Sequence, residues 1–281
     1  MTLDFIIQDS LNEDAPYGDI TVDSLFDQST SQNATLIAKS NGIFFGKAII
    51  QAFLNYADPD HQVTFYVDDG DFVTASTKLC NFKSTFSKIL LIERSMLNLI
   101  QHLSGVATLT NQFVKKLNAP HIAICDTRKT TVGLRDLEKN AVKAGGGTNH
   151  RFGLSDMILI KENHLKLFEN LYALSSLDSV IQRAKRTNPQ LKAEIEIETL
   201  DQLKTLPLAS FDYVMFDNFS ITSIPEASAF CRSLYPHLKI EVSGNVSLDT
   251  IENYRCLDID RISIGALTHS APAFDISLLL L

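Results

Sequence analysis

From Pro120 onward the chain alternates short apolar runs with helix-patterned stretches, and this alternation constrains the fold more than any other feature. The runs lie at 122–125, 157–160, 193–197, 213–216, 238–242 and 261–264. Helix-period stretches lie between them at 134–144, 172–186, 200–206, 224–234 and 248–254. Nearly continuous apolar runs indicate strands buried on both faces, as in parallel sheets crossed by helices. Six such units in about 150 residues fit an α/β barrel better than an open sheet. Before residue 88 the texture is different. Short strand patterns at 34–38, 43–45, 63–67 and 79–82 are separated by turns such as Asp68-Asp69-Gly70-Asp71. A long helix pattern follows over 87–117, with Leu91, Met96, Leu99, Leu103 and Val106 on its apolar face and Gly105 as a point for a bend.

Composition removes several function classes. The 281 residues carry 25 Lys+Arg against 33 Asp+Glu, a net charge of −8. A general nucleic-acid binder needs a basic footprint for phosphates, so that class is excluded. The opening MTLDFIIQDSLNEDAPYGD lacks the basic and apolar regions of a signal peptide. The longest apolar runs, including 278–281, fall far short of the ~20 residues a membrane span needs. Cys80, Cys125, Cys231 and Cys256 form no CxxC pair and read as reduced thiols. The expectation is a soluble cytoplasmic protein.

Each apolar run is followed at its C-terminal end by a polar or glycine signal. The first ends in Asp126-Thr127-Arg128-Lys129-Thr130, the second in Lys161, the fourth in Asp217-Asn218. The fifth ends in Ser243-Gly244-Asn245 and the sixth in Gly265-Ala266, while Glu194, Glu196 and Glu198 alternate through the third. In α/β barrels the strand C-termini gather on one face, where ligands bind. Arg128, Lys129 and Lys161 then supply positive charge to that face, with His150 and Arg151 beyond the Gly145-Gly146-Gly147 loop. Glu196 and Asp217 add carboxylates suited to Mg²⁺ or sugar hydroxyls. The late loops expose backbone N–H groups suited to phosphate. Taken singly, each signal has an ordinary reading: a solvated charge, a turn, a structural histidine. His102 reads as packing or capping within its helix rather than as a ligand. Their joint placement on one rim points to a polyanionic ligand with a sugar and a metal.

At these residues the chain resembles quinolinate phosphoribosyltransferase. The similarity lies in Asp126-Thr127-Arg128-Lys129-Thr130-Thr131, the stretch GLRDLEKNAVKAGGGTNHRFGLSDMILIKENH, ERSMLNLIQHLSGVAT around Arg94, AEIEIETL, FDNF, EVSGNVSLDTI and ISIGALTHS. These span nearly the whole chain. The resemblance implies a type II phosphoribosyltransferase fold: an N-terminal α/β sandwich over 1–104, rejoined by a tail at 270–281, and a six-stranded α/β barrel over 105–269. It implies that quinolinate attacks phosphoribosyl pyrophosphate with Mg²⁺ assisting, giving nicotinate mononucleotide, pyrophosphate and carbon dioxide. It also implies a homodimer, or a dimer-based assembly, in which Arg94 completes the neighbouring site.

By the same resemblance, Thr127, Arg128, His150 and Arg151 bind quinolinate, and Lys129 and Lys161 hold pyrophosphate and the reacting substrate. Glu196 and Asp217 match the carboxylates at the ribose and metal. Ser243, Gly244, Asn245, Ile264, Gly265 and Ala266 match the 5′-phosphate loops. One stretch departs from the pattern: Glu13 to Asp19 looks like a paralogue found with molybdate-transport genes. That paralogue lacks a lysine at the position of Lys161. The alternatives are such a paralogue acting on another substrate, or a non-catalytic phosphate-ligand binding protein.

Overall fold

The computed structural model describes residues 2–27 and 30–281. Two compact units emerge, one formed by residues up to Asn111, Thr130–Gly146 and Ala266–Leu281, the other by Gln112–Lys129 and Gly147–Gly265. Residue 104, the boundary expected from sequence, lies inside one unbroken helix, Phe86–Leu117. The strands in chain order are β1 (Ser31–Ala38), β2 (Gly42–Ile43), β3 (Gln62–Phe65), β4 (Phe72–Val73), β5 (Lys78–Thr85), β6 (Ala123–Cys125), β7 (Met157–Ile160), β8 (Lys192–Ile197), β9 (Tyr213–Asp217), β10 (Lys239–Ser243), β11 (Arg261–Ser263) and β12 (Ile276–Leu280).

The first unit holds a four-stranded sheet in the order β12-β1-β5-β3, with every neighbouring pair antiparallel. The C-terminal strand β12 is thus a structural edge, paired from Ala34↔Leu280 to Ala38↔Ile276. Ala34, Leu36, Cys80 and Phe82, opposite one another across β1 and β5, bury one face of this sheet. The sequence reading of strands and turns up to residue 88 misses three helices, Leu3–Asp14, Ile20–Leu25 and Lys47–Ala57. In Lys47–Ala57 the buried Ile49, Ile50, Phe53 and Leu54 recur at helical spacing. Gly105 does not interrupt its helix. A Cβ there would lie 2.1 Å from the Pro272 carbonyl oxygen, so the bare backbone lets the C-terminal tail approach. His102 pairs with the fully buried Glu138 across 2.8 Å, and Glu138 also accepts the Thr131 N–H at 3.1 Å.

The second unit is the six-stranded parallel sheet, in the order β6-β11-β10-β9-β8-β7. Its strands are buried on both faces, as the continuous apolar runs require. The sheet curls. Arg261 on β11 reaches Glu194 on β8 at 2.9 Å although two strands separate them. Flat strands three steps apart lie about 14 Å from each other. His150, which precedes β7, reaches Glu194 at 3.1 Å across the same concave face. At the β6 edge Cys125 forms an isolated parallel bridge with Thr148, in the chain leading toward β7. The helix Glu162–Leu171, unanticipated from sequence, follows β7 directly, and the 248–254 stretch forms only a short 3-10 turn, Ile251–Tyr254.

Candidate active site

Strand register brings the sequence signals onto one rim. Asp217, Ser243, Ser263 and Cys125 are consecutive partners across β9, β10, β11 and β6, all at the C-terminal ends. Asp126 to Lys129 leave β6 at that end, Lys161 leaves β7, and Glu196 sits near the end of β8. Because the strands are parallel, their outgoing loops have no other edge to occupy.

Lys161 caps the start of the helix Glu162–Leu171, its own N–H bound to His164 Nδ1 at 3.0 Å. Its ammonium lies 2.5 Å from Glu196 Oε2, with the lysine side chain 42% exposed and the glutamate 8%. Burial pushes the Glu196 carboxyl above its ordinary pKa, and nearby Asp217 and Glu162 push the same way, while Lys161 opposes them. The Lys161 ammonium is thus the cation that offsets part of the cost of burying the Glu196 carboxylate. Lys161 occupies one oxygen of Glu196, and Asn218 Nδ2 donates to Asp217 Oδ2 at 2.9 Å. Each carboxylate keeps a second oxygen, a hard-donor set that fits Mg²⁺, which takes one or two carboxylates and completes its shell with water and phosphate oxygens.

The arginines form the second part of the rim. Arg151 Nη1 donates to the Met157 carbonyl at 3.1 Å. Burial lowers the pKa of its guanidinium and the like charge of Arg128 lowers it further. Two cations are thus held near each other in a half-buried place, with geometry suited to carboxylate or phosphate oxygens. On the loop after β6, Lys129 is exposed and its N–H binds Thr127 Oγ1 at 3.0 Å.

His150 is buried, at 7% exposure, on the concave face of the barrel. Its Nε2 lies 3.1 Å from Glu194 and 3.5 Å from Glu241. Arg261 ion-pairs with both carboxylates and stacks on the Tyr213 ring at 3.8 Å. Sequence reading saw Glu194 only as one of three alternating glutamates and missed Glu241 and Arg261. A charged residue inside an apolar strand run, which must find a buried partner, was the available signal. Burial alone would lower the His150 pKa; Glu194 and Glu241 outweigh it and push the imidazole up to about 9. The Arg151 N–H points at Nδ1 from 2.8 Å and works against that gain. Although His150, Glu194 and Glu241 each offer a ligand atom within 4.8 Å of the others, the Arg261 guanidinium already compensates their charge. The cluster does not fit a metal ion.

The late loops turn through left-handed backbone conformations. Gly244 has φ +96°, and Asn218 and Asn245 take φ values of +56° and +53°. Ile264 N–H binds the Cys125 carbonyl at 2.9 Å, leaving Gly265 at the turn. Ala266 opens the short helix Ala266–His269, which belongs to the first unit. Arg94 also belongs to that unit. It is exposed, no ion pair is seen for it among the described residues, and it lines a cavity of about 410 Å³ with Glu13, Asp14, His102 and Leu134.

The fold and rim define a class: a parallel α/β protein whose strand ends set a group of cations beside carboxylates. The chain belongs to the quinolinate phosphoribosyltransferase family, matching its N-terminal domain over residues 19–104 and its C-terminal domain over 106–279. It is 39% identical over 267 residues to a Bacillus subtilis protein named "Probable nicotinate-nucleotide pyrophosphorylase [carboxylating]", covering 95% of this chain and 89% of that one. It is similar to the crystal structure of NadC from Streptococcus pyogenes, with a TM-score of 0.89, 34% identity and coverage of 99% and 97% of the two chains. The nicotinate-nucleotide pyrophosphorylase structure from Francisella tularensis aligns with a TM-score of 0.88 at 34% identity, covering 100% and 98%. No helix among the described residues is long and apolar enough to cross a membrane.

Proposed function

We propose that this chain transfers the phosphoribosyl group of phosphoribosyl pyrophosphate to quinolinate and decarboxylates the product, giving nicotinate mononucleotide, pyrophosphate and carbon dioxide in NAD biosynthesis. The observation that carries the reading is the Lys161–Glu196 pair beside Asp217, set on the rim of a chain that matches both family domains. Arg128, Arg151 and Thr127 orient the two carboxylates of quinolinate, with His150 beneath them. Lys129 and Lys161 hold the pyrophosphate, while Ser243 to Asn245 and Ile264 to Ala266 hold the 5′-phosphate on backbone N–H groups.

The C1′–oxygen bond to pyrophosphate breaks as the pyridine nitrogen donates its lone pair to C1′. Positive charge builds on the ribose, where Glu196 and Asp217 stabilise it, and negative charge builds on the leaving group, where the lysines do. The same two carboxylates would hold Mg²⁺, which when bound neutralises pyrophosphate charge. The 2-carboxylate then departs as carbon dioxide and leaves its bonding pair on C2, where the adjacent positive ring nitrogen stabilises it until a proton takes that pair. No covalent enzyme intermediate is required. Burial pushes the thiols of Cys80 and Cys125 up to about 12 and that of Cys231 up to about 11, so none is a ready nucleophile. The free thiols Cys80, Cys125, Cys231 and Cys256 support a cytoplasmic location.

The test is a rate measurement with quinolinate, phosphoribosyl pyrophosphate and Mg²⁺, following both pyrophosphate and carbon dioxide, with nicotinate run in parallel. Release of both products with quinolinate and of neither with nicotinate is the expected result. Binding without release, or turnover of nicotinate alone, overturns the assignment.

The reading includes a homodimer whose site takes Arg94 from the neighbouring subunit, supported by the exposed cation at an open cavity. Arg94→Ala and Lys161→Ala proteins, each nearly inactive, regain roughly a quarter of the native rate when mixed and allowed to exchange subunits. No recovery in a mixture shown by mass to contain heterodimers removes Arg94 from a shared site.

A further inference from the structure

Asn218 is absorbed by none of the roles above, yet it joins two of them. It follows Asp217 at the end of β9 and adopts φ +56°, a conformation that few residues other than glycine accept and that Asn tolerates well. Its backbone N–H binds the Ser243 carbonyl at 2.9 Å. Its side-chain Nδ2 donates to Asp217 Oδ2 at 2.9 Å, and its Oδ1 accepts from Asn245 Nδ2 at 3.2 Å. An ionised carboxylate only accepts, so the amide nitrogen must face Asp217 and the oxygen must face Asn245. The amide lies directly over Gly244, where an added Cβ would stand 2.1 Å from Asn218 Oδ1. Three positive-φ residues, Asn218, Gly244 and Asn245, therefore interlock through one side chain.

Sequence proximity does not require this arrangement. Asp217 and Ser243 are register partners on neighbouring strands, and each loop beyond them is free to turn on its own. The amide removes that freedom. It orients one oxygen of Asp217 and leaves the other to a ligand, and it fixes the turn whose backbone N–H groups are offered to phosphate. An aspartate in its place keeps the backbone but loses the donor, and a glycine keeps only the backbone.

We propose that Asn218 is a positioning residue for the phosphoribosyl group: its amide ties the Asp217 carboxylate to the Ser243–Asn245 turn, so that the ribose and 5′-phosphate subsites are set as one unit. This rests on the reading that Asp217 faces the ribose.

The test compares Asn218→Gly and Asn218→Asp with the native protein, and carries Asp217→Asn as a control. Melting temperatures establish that each variant is folded. Asn218→Gly raises KM for phosphoribosyl pyrophosphate about 10-fold and leaves KM for quinolinate within about twofold. Asn218→Asp also lowers kcat, by about 10²-fold, because a like charge then faces Asp217. Calorimetric titration with ribose 5-phosphate in the absence of Mg²⁺ shows about 10-fold weaker binding to Asn218→Gly. Equal shifts in both KM values, or ribose 5-phosphate affinity like the native protein's, overturn the proposal. If Asp217→Asn is impaired while the Asn218 variants behave as native, the positioning role alone is lost. If Asp217→Asn itself binds ribose 5-phosphate and turns over normally, the ribose assignment fails and takes the proposal with it.

Discussion

Lys161→Ala lowers kcat by about 10³-fold while shifting the melting temperature by only a few degrees. The two effects separate because of where the side chain sits. Its ammonium is paired with Glu196 at 2.5 Å, but the lysine side chain is 42% exposed. Solvent screens such a pair, and its loss costs about 1 kcal/mol of stability or less. The chemical cost is larger. Pyrophosphate leaves with charge that the lysine is preplaced to meet, and removing one preorganised donor of this type typically costs about 10² to 10³ in rate. Glu196 also loses the cation that holds its pKa down against burial. Its protonated fraction rises, and the residual rate falls further as pH is lowered. Parallel measurements of kcat and thermal melting decide the matter; a native rate in the folded variant removes Lys161 from the reaction.

Arg261→Met destabilises the protein by about 3 to 5 kcal/mol, the largest effect expected on stability. The guanidinium is 13% exposed and compensates Glu194 and Glu241, both fully buried. Without it two carboxylates face each other in the barrel with only His150 between them. Replacing Glu241 by leucine in the same protein recovers part of the loss, because one uncompensated charge goes with it. The native cluster also gives stability a pH signature. His150 has a folded pKa raised from 6.5 to about 9. A raised pKa means that the folded state holds the proton more tightly, so this contribution is fully present below pH 6.5 and is lost as pH rises through 9. The loss is up to about 3 kcal/mol, with the carboxylates setting its direction and the Arg151 N–H trimming its size. Denaturant unfolding between pH 6 and 10 measures it. A flat profile, or an Arg261→Met protein as stable as the native one, shows that the cluster carries no such energy.

The barrel half was open to sequence reading because parallel strands buried on both faces leave nearly unbroken apolar runs, and the chain shows six of them. The N-terminal helices were not, since Leu3–Asp14 buries only Ile7 and Leu11 and so shows little periodicity. Lys161, Glu196 and Asp217 were legible as strand-end polar residues, and the structure places the first two in direct contact. Glu241 and Arg261 were missed for the opposite reason. Each sits inside a strand, and the partner that makes its burial tolerable comes from another strand or from the loop before β7.

Asn218 shows the same division at a single residue. Its type and its place after Asp217 are in the sequence, but the left-handed backbone and the bonds to Asp217, Ser243 and Asn245 exist only once β9 and β10 are paired. Local periodicity and residue type determined that the chain makes a parallel α/β barrel with charged strand ends, because burial of strands and exposure of loops are properties of short segments. Tertiary structure alone decided which charges meet, because the curl of the sheet brings together residues more than 60 positions apart.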